Sequence, residues 1–177
     1  MDRRQPLPKI WLMTDPRIDD LGATIARLPA CSGIIFRHYH LPRRERHTLF
    51  MEVRKLARAR RHILLLADRP ARARAWGADG AHSRARDRSC GLRSVAVHNA
   101  REAACARRLQ ADLIFISPVF ATRSHPGAQA LGPTRLGLIA GSARGRTIAL
   151  GGMTAKRAAA LRSHKIYGWA AIDAFRI

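Results

Sequence analysis

Acidic residues are scarce in this chain: 12 Asp and Glu stand against 33 Lys and Arg, and aromatic residues make up only 6% of the 177 positions. Long hydrophobic runs are missing too. No apolar stretch approaches the ~20 residues that a membrane-spanning helix needs, so no helical bilayer span is expected. The opening residues, Met1-Asp-Arg-Arg-Gln-Pro6, lead to only a handful of apolar side chains before Asp15, too short a run for a secretory leader. Cysteine is limited to Cys31, Cys90 and Cys105. Three widely separated thiols fit neither a disulfide framework nor a zinc site, and they point to a reducing, cytoplasmic setting. Few aromatics, and no glycine–aromatic RNA-binding signature, leave little on which to stack bases.

What is abundant is arginine. Only four basic residues are lysines (Lys9, Lys55, Lys156, Lys165), leaving 29 arginines and a formal charge of +21. Such a charge attracts nucleic acid, acidic membranes or phosphorylated metabolites. The arginines are spread over every expected helix rather than gathered into one tract. Wholesale replacement of lysine by arginine through compositional bias therefore accounts for them better than nucleic-acid binding does. The expected partners are phosphorylated small molecules, with no membrane.

Apolar runs bounded by turn residues alternate with amphipathic stretches along the whole length. Strands are expected at 9–14, 33–37, 63–67, 80–82, 94–98, 113–117, 147–150 and 168–172. The clearest helix lies between Arg43 and Arg60, where Leu49, Val53 and Leu56, flanked by Phe50 and Ala57, make an apolar stripe. Segments 100–109 and 154–162 are Ala- and Arg-rich helices, with Asn99 and Thr154 as N-caps and Glu102 completing an approximate capping box. Eight strands alternating with helices read as a parallel α/β architecture, and eight is the count that closes a (β/α)8 TIM barrel. The length falls below the ~200 residues usual at the low end of that fold, so a trimmed single barrel domain over 1–177 is expected. About five residues follow the last strand, too few for a full eighth helix. Self-association as a homo-oligomer, or coverage by residues 1–8, should shield the gap between the first and seventh helices.

In such sheets ligands sit at the carboxyl ends of the strands. The most informative segment is Leu113-Ile-Phe-Ile-Ser117, an apolar run that stops in Ser-Pro and opens into Thr122, Arg123, Ser124 and His125. Two or more hydroxyls beside cations suit a phosphate or pyrophosphate. Other strand ends offer Arg37, with Tyr39 on the same face by the period of two, then Asp68, His82, Asp87, His98 and Gly151-Gly152. Each also has a plain structural role available. Asp68 suits a helix cap as well as a metal ligand. His98 suits a half-buried core position, and Gly151-Gly152 a tight turn as well as backbone donors to a phosphate. His38 and His40 are discounted as a metal pair because no third ligand is evident.

Seven segments together give the pattern a family. Trp11-Leu-Met-Thr-Asp15, Ile34-Ile-Phe-Arg37, Leu66-Ala-Asp-Arg69, Gly77-Ala-Asp-Gly-Ala-His82, Ser94-Val-Ala-Val-His98, Ala111-Asp-Leu-Ile-Phe-Ile-Ser-Pro-Val-Phe-Ala-Thr122 and Ile148-Ala-Leu-Gly-Gly-Met153 resemble, in order and spacing, the thiamine-phosphate synthase family and its thiazole tautomerases. The resemblance implies a (β/α)8 barrel. It also implies a Mg2+-assisted transfer in which a pyrimidine pyrophosphate loses pyrophosphate and a thiazole phosphate nitrogen captures the pyrimidine methylene. By position, Arg37 is then expected to grip the pyrophosphate and Asp68 and Asp87 to hold Mg2+. Thr122, Ser124 and His125 would contact the phosphate side, and Gly151 and Gly152 would donate backbone N–H groups. The chain departs from the family at Ala67, Tyr39, Ala96, His125 and Asp173, where the usual residues are Asn, Lys, Ser, Lys and a small or hydroxyl residue. In the tautomerase branch the histidine corresponding to His98 shuttles a proton. The leading expectation is thiamine-phosphate synthase chemistry. The rivals are a thiazole tautomerase using His98 and a catalytically silent barrel that binds a phosphorylated ligand or serves as a scaffold.

Overall fold

The structure is a computed structural model, and it describes residues 6–87, 91–122, 127, 129–143 and 145–175. Eight parallel strands close on themselves: β1 (Ile10–Met13), β2 (Gly33–Phe36), β3 (Ile63–Leu66), β4 (Gly80–His82), β5 (Leu92–Val97), β6 (Leu113–Ile116), β7 (Arg146–Leu150) and β8 (Gly168–Ala171). Neighbours in sequence are neighbours in space, and β8 returns to pair with β1, Trp11 lying opposite Ala170. The helices are α1 (Leu21–Arg27), α2 (Arg43–Ala59), α3 (Pro70–Trp76), α4 (Ala100–Arg108), α5 (Gly132–Ser142) and α6 (Ala155–Ala160). Among the described residues, β4 and β5 are joined without a helix. No helix there is long and apolar enough to cross a membrane.

The lumen is a packed core. Trp11 on β1 meets Phe115 on β6 edge-to-face at 5.5 Å, and His82 on β4 meets the same ring at 5.3 Å. These strands are not neighbours, so their side chains can touch only across the barrel interior. The indole needs an empty place beside it, which Gly33 supplies. Trp11 stands opposite Gly33 in register, and a Cβ there would lie 2.2 Å from the indole Cε3.

Outside the barrel, α2 turns Arg46, Phe50, Val53 and Ala57 inward, a 4-3-4 spacing that keeps one helical face on the sheet. The stripe thus centres one position away from the expected Leu49–Val53–Leu56 line. Leu49 is half-buried and Leu56 is exposed. Asn99 caps α4 as expected, its side chain accepting the Glu102 N–H at 2.9 Å. The reciprocal half of the capping box is shifted by one residue: Glu102 Oε2 accepts the N–H of His98 rather than that of Asn99.

After β8 the described chain forms a single 3-10 turn, Asp173–Phe175, whose Phe175 ring stacks on Trp169 at 5.2 Å. At the other end of this seam Leu7 and Pro8 are buried, and the Tyr167 hydroxyl donates to the Leu7 carbonyl. Residues 7 and 8 are thus fastened against the start of β1 and β8. Residues 1–5 lie outside the described residues.

Candidate functional site

A cavity of about 580 Å3 opens at the carboxyl ends of β2, β5, β6, β7 and β8. Arg37, His98, Thr122, Gly151 and Gly152 all line it. Five residues chosen from four different strand ends or following loops therefore meet at one mouth, with Leu131, Leu150, Met153 and Ile172 supplying apolar wall. Ser124 and His125, expected beside them, lie outside the described residues, as does Arg123. Asp68 and Asp87 are not among the lining residues.

Arg37 follows β2 directly. Its backbone N–H donates to Thr14 Oγ1 at 2.9 Å, and its carbonyl accepts from Arg46 Nε at 2.8 Å, so both ends of the residue are fixed. Its guanidinium stands 3.9 Å from Asp15 Oδ2. Burial alone would raise the Asp15 carboxyl, but hydrogen bonds from the Arg17 side chain and backbone, with the fields of Arg17 and Arg37, outweigh it and hold the group below the usual carboxylate range. Asp15 therefore stays ionised and aligns Arg37. Thr14 also bonds His38 Nδ1 at 3.0 Å. Desolvation, followed by the nearby His40, pushes the His38 ring down to about 4, so it is neutral near pH 7. His38 is thus a buried hydrogen-bonding partner, stacked on Phe36.

His98 caps β5. Its Nδ1 lies 2.7 Å from the Ser117 carbonyl, which can only accept. Nδ1 therefore carries a proton, and in the neutral ring this tautomer leaves Nε2 as the acceptor. Glu102 orients the segment from below, bonding the His98 N–H at 2.8 Å and the Arg84 guanidinium at 2.5 Å. Gly151 and Gly152 adopt φ values of 92° and 60°. A Cβ at Gly151 would lie 2.8 Å from Pro118 Cα, and one at Gly152 would lie 2.5 Å from the Ala121 carbonyl oxygen. The double glycine lets the β6 and β7 loops touch, which is the turn role considered for it, and it places that turn on the cavity wall.

Asp68 is differently placed from what either reading of it expected. It does not cap α3. Its Oδ2 receives Arg46 Nη1 and Arg72 Nη1, each at 2.8 Å, and its Oδ1 receives the Arg69 N–H at 2.8 Å. Burial would raise this carboxyl, yet those donors together lower it. A carboxylate already shared by two guanidiniums does not fit a divalent cation, which would meet two fixed positive charges. Asp87 is exposed, and its backbone carbonyl accepts from Arg93. Among the described residues no group of three or more His, Cys, Asp or Glu could hold a metal ion.

Two functional residues escaped the sequence reading. Arg157 lines the cavity, donates to the Gly152 carbonyl and lies 4.7 Å over the Phe120 ring. Arg46 is 6% exposed and ties the ends of β2 and β3 together through the Arg37 and Ala67 carbonyls. Nothing in composition marks them among 29 arginines, although Arg46 does extend the buried α2 stripe by one turn.

Known proteins were compared with this chain. A sequence model described as thiamine monophosphate synthase matches residues 17–175. A curated protein of Aquifex aeolicus (strain VF5), provisionally named thiamine-phosphate synthase 2, is 28% identical over 182 residues, covering 96% of this chain and 98% of its own. A solved thiamine phosphate pyrophosphorylase from Pyrococcus furiosus superposes with a TM-score of 0.79 at 24% identity, covering 93% of this chain and 85% of that one. The structure titled "Native KDPGal structure" follows at 0.61 and 16% identity, covering 96% and 84%, and shares the fold alone.

Proposed function

The chain belongs to the thiamine monophosphate synthase family, and from that premise we propose a thiamine-phosphate synthase-like activity in thiamine biosynthesis. The reaction joins a hydroxymethylpyrimidine pyrophosphate to a thiazole phosphate and releases pyrophosphate. The observation that carries this reading is the convergence of Arg37, His98, Thr122, Gly151 and Gly152 on one cavity. As the pyrimidine carbon–oxygen bond breaks, negative charge grows on the departing pyrophosphate, and fixed donors aimed at that charge lower the barrier. Arg37, aligned by Asp15 and anchored at both backbone ends, is the donor best fixed for this task. Thr122 and the Gly151-Gly152 turn border the place where the second phosphate would rest. Members of the family use Mg2+. Asp68, one of the two residues expected to hold it, is occupied by two guanidiniums, so charge stabilisation is assigned to the arginines. The test incubates the protein with both phosphorylated precursors, with and without Mg2+, and follows thiamine phosphate by fluorescence after oxidation. Product that is lost in Arg37→Met supports the reading; a folded protein giving none under either condition sinks it.

A second reading is thiazole tautomerisation, and the His98 geometry favours it. With Nδ1–H donated to the Ser117 carbonyl, Nε2 is left as a base on the cavity wall. It could take a proton from one ring position of a thiazole carboxylate phosphate and return it to another. Tautomerisation that runs unchanged in His98→Ala removes this mechanism.

A further inference from the structure

Asp68 sits where the family resemblance calls for a metal ligand, yet the structure surrounds it with nitrogen. We propose that Asp68 holds no divalent cation in this protein: the Arg46–Asp68–Arg72 cluster occupies its carboxylate, and phosphorylated ligands are held in the neighbouring cavity by Arg37 and Arg157 without a metal on Asp68. The proposal rests on the reading of the cavity as a site for phosphorylated ligands.

The donor count is the first argument. An ionised carboxylate offers about four acceptor positions, and here three are filled at 2.8 Å by Arg46, Arg72 and the Arg69 N–H. The second argument is immobility. Arg46 is held by three hydrogen bonds, to Asp68, to the Arg37 carbonyl at 2.8 Å and to the Ala67 carbonyl at 3.0 Å. It also packs against aromatic rings, at 5.2 Å over Tyr39 and 5.7 Å over Trp76. Releasing Asp68 to a metal would strand this buried guanidinium, which cannot shed its proton. The third is the sign of the field. Two guanidiniums and one carboxylate leave the cluster with one net positive charge, which repels a second cation from Asp68. Through the Arg37 carbonyl the same arginine fixes the backbone of the cation lining the cavity, so Arg46 acts as a positioning residue as well as a charge.

The test separates metal from anion. Mn2+ alone is titrated into the full-length protein, and free Mn2+ is followed by electron paramagnetic resonance. Inorganic pyrophosphate is titrated calorimetrically in EDTA and again in Mg2+. The expected result is no Mn2+ uptake at millimolar concentrations, and a pyrophosphate affinity that Mg2+ leaves unchanged or lowers. Arg72→Gln changes a half-exposed side chain, leaves the buried Arg46 anchor on Asp68 in place and should still take up no Mn2+. One Mn2+ bound by the wild type and lost in Asp68→Asn would overturn the proposal, as would a tenfold or greater gain in pyrophosphate affinity on adding Mg2+. A wild type that binds no pyrophosphate at all would sink the phosphorylated-ligand reading of the cavity, while the Mn2+ titration would still decide the metal question.

Discussion

His82 gives the fold a predictable sensitivity to acid. Its ring is enclosed in the barrel lumen, where Nδ1 meets Ser94 Oγ at 2.8 Å and the ring edge meets Phe115. Desolvation, then the fields of Arg37 and Arg84, push its pKa down to about 4. In the unfolded chain the same imidazole titrates near 6.5. The unfolded state therefore binds more protons between those values, and stability is lost as pH falls from about 6.5 towards about 4. At pH 5 the unfolded ring is almost fully charged and the folded ring mostly neutral, which corresponds to a loss of about 2 kcal/mol relative to neutral pH. His38, lowered to about 4 in the same way, adds a comparable loss. The ionised carboxylates that are lowered, such as Asp15 and Asp68, lose their contribution only at more acidic pH. Urea unfolding followed by tryptophan fluorescence at pH 7.5 and pH 5 measures the difference. Wild type should lose about 4 kcal/mol and His82→Gln about 2 kcal/mol less than that, whatever its absolute stability. Equal losses in the two proteins would show that the lumen does not exclude the charged ring, and the argument would fail.

Three further outcomes follow from the geometry. Gly33→Ala drives a methyl into the Trp11 indole, and the 2.2 Å approach should cost about 3 kcal/mol, read as a fall in melting temperature with altered tryptophan emission. Asn99→Ala removes the α4 cap and should cost about 1 kcal/mol in denaturant unfolding while leaving the β-sheet circular dichroism intact. Arg37→Met should weaken inorganic pyrophosphate binding by about ten- to a hundred-fold in calorimetry, the worth of one charge-assisted contact, with little change in melting temperature.

The strands were readable because a parallel barrel buries both faces of each strand, so apolar runs such as Ile63–Leu66 and Leu113–Ile116 stand out between turn residues. Strand order and closure followed from the count of eight. The cavity residues Arg37, His98, Thr122 and Gly151-Gly152 were readable for a related reason: the end of an apolar run marks the mouth. Direction along a helix was harder. The one-residue shift of the α2 stripe could not be seen because Leu49 and Phe50 are both apolar and only packing decides between them. That same shift hid Arg46, whose inward turn depends on carbonyls of β2 and β3 that are remote in sequence. The arginine partners of Asp68 were not legible because an acid at a strand end looks alike whether its neighbours are a cation from solvent or arginines from two helices.

The pairing of Trp11 with Ala170 has a consequence for how the chain comes into being. Strand β1 is synthesised first, yet one of its edges has no partner until Gly168–Ala171 exists. Until β8 emerges the growing sheet is therefore an open ribbon with two unsatisfied edges, one on β1 and one on the latest strand. Open parallel edges recruit other chains, and contacts this distant in sequence form slowly. Ribosome pausing before residue 168, or truncation there, should send the nascent chain towards aggregates or chaperones. A four-residue strand, the last of the eight, decides whether the seven before it are sealed.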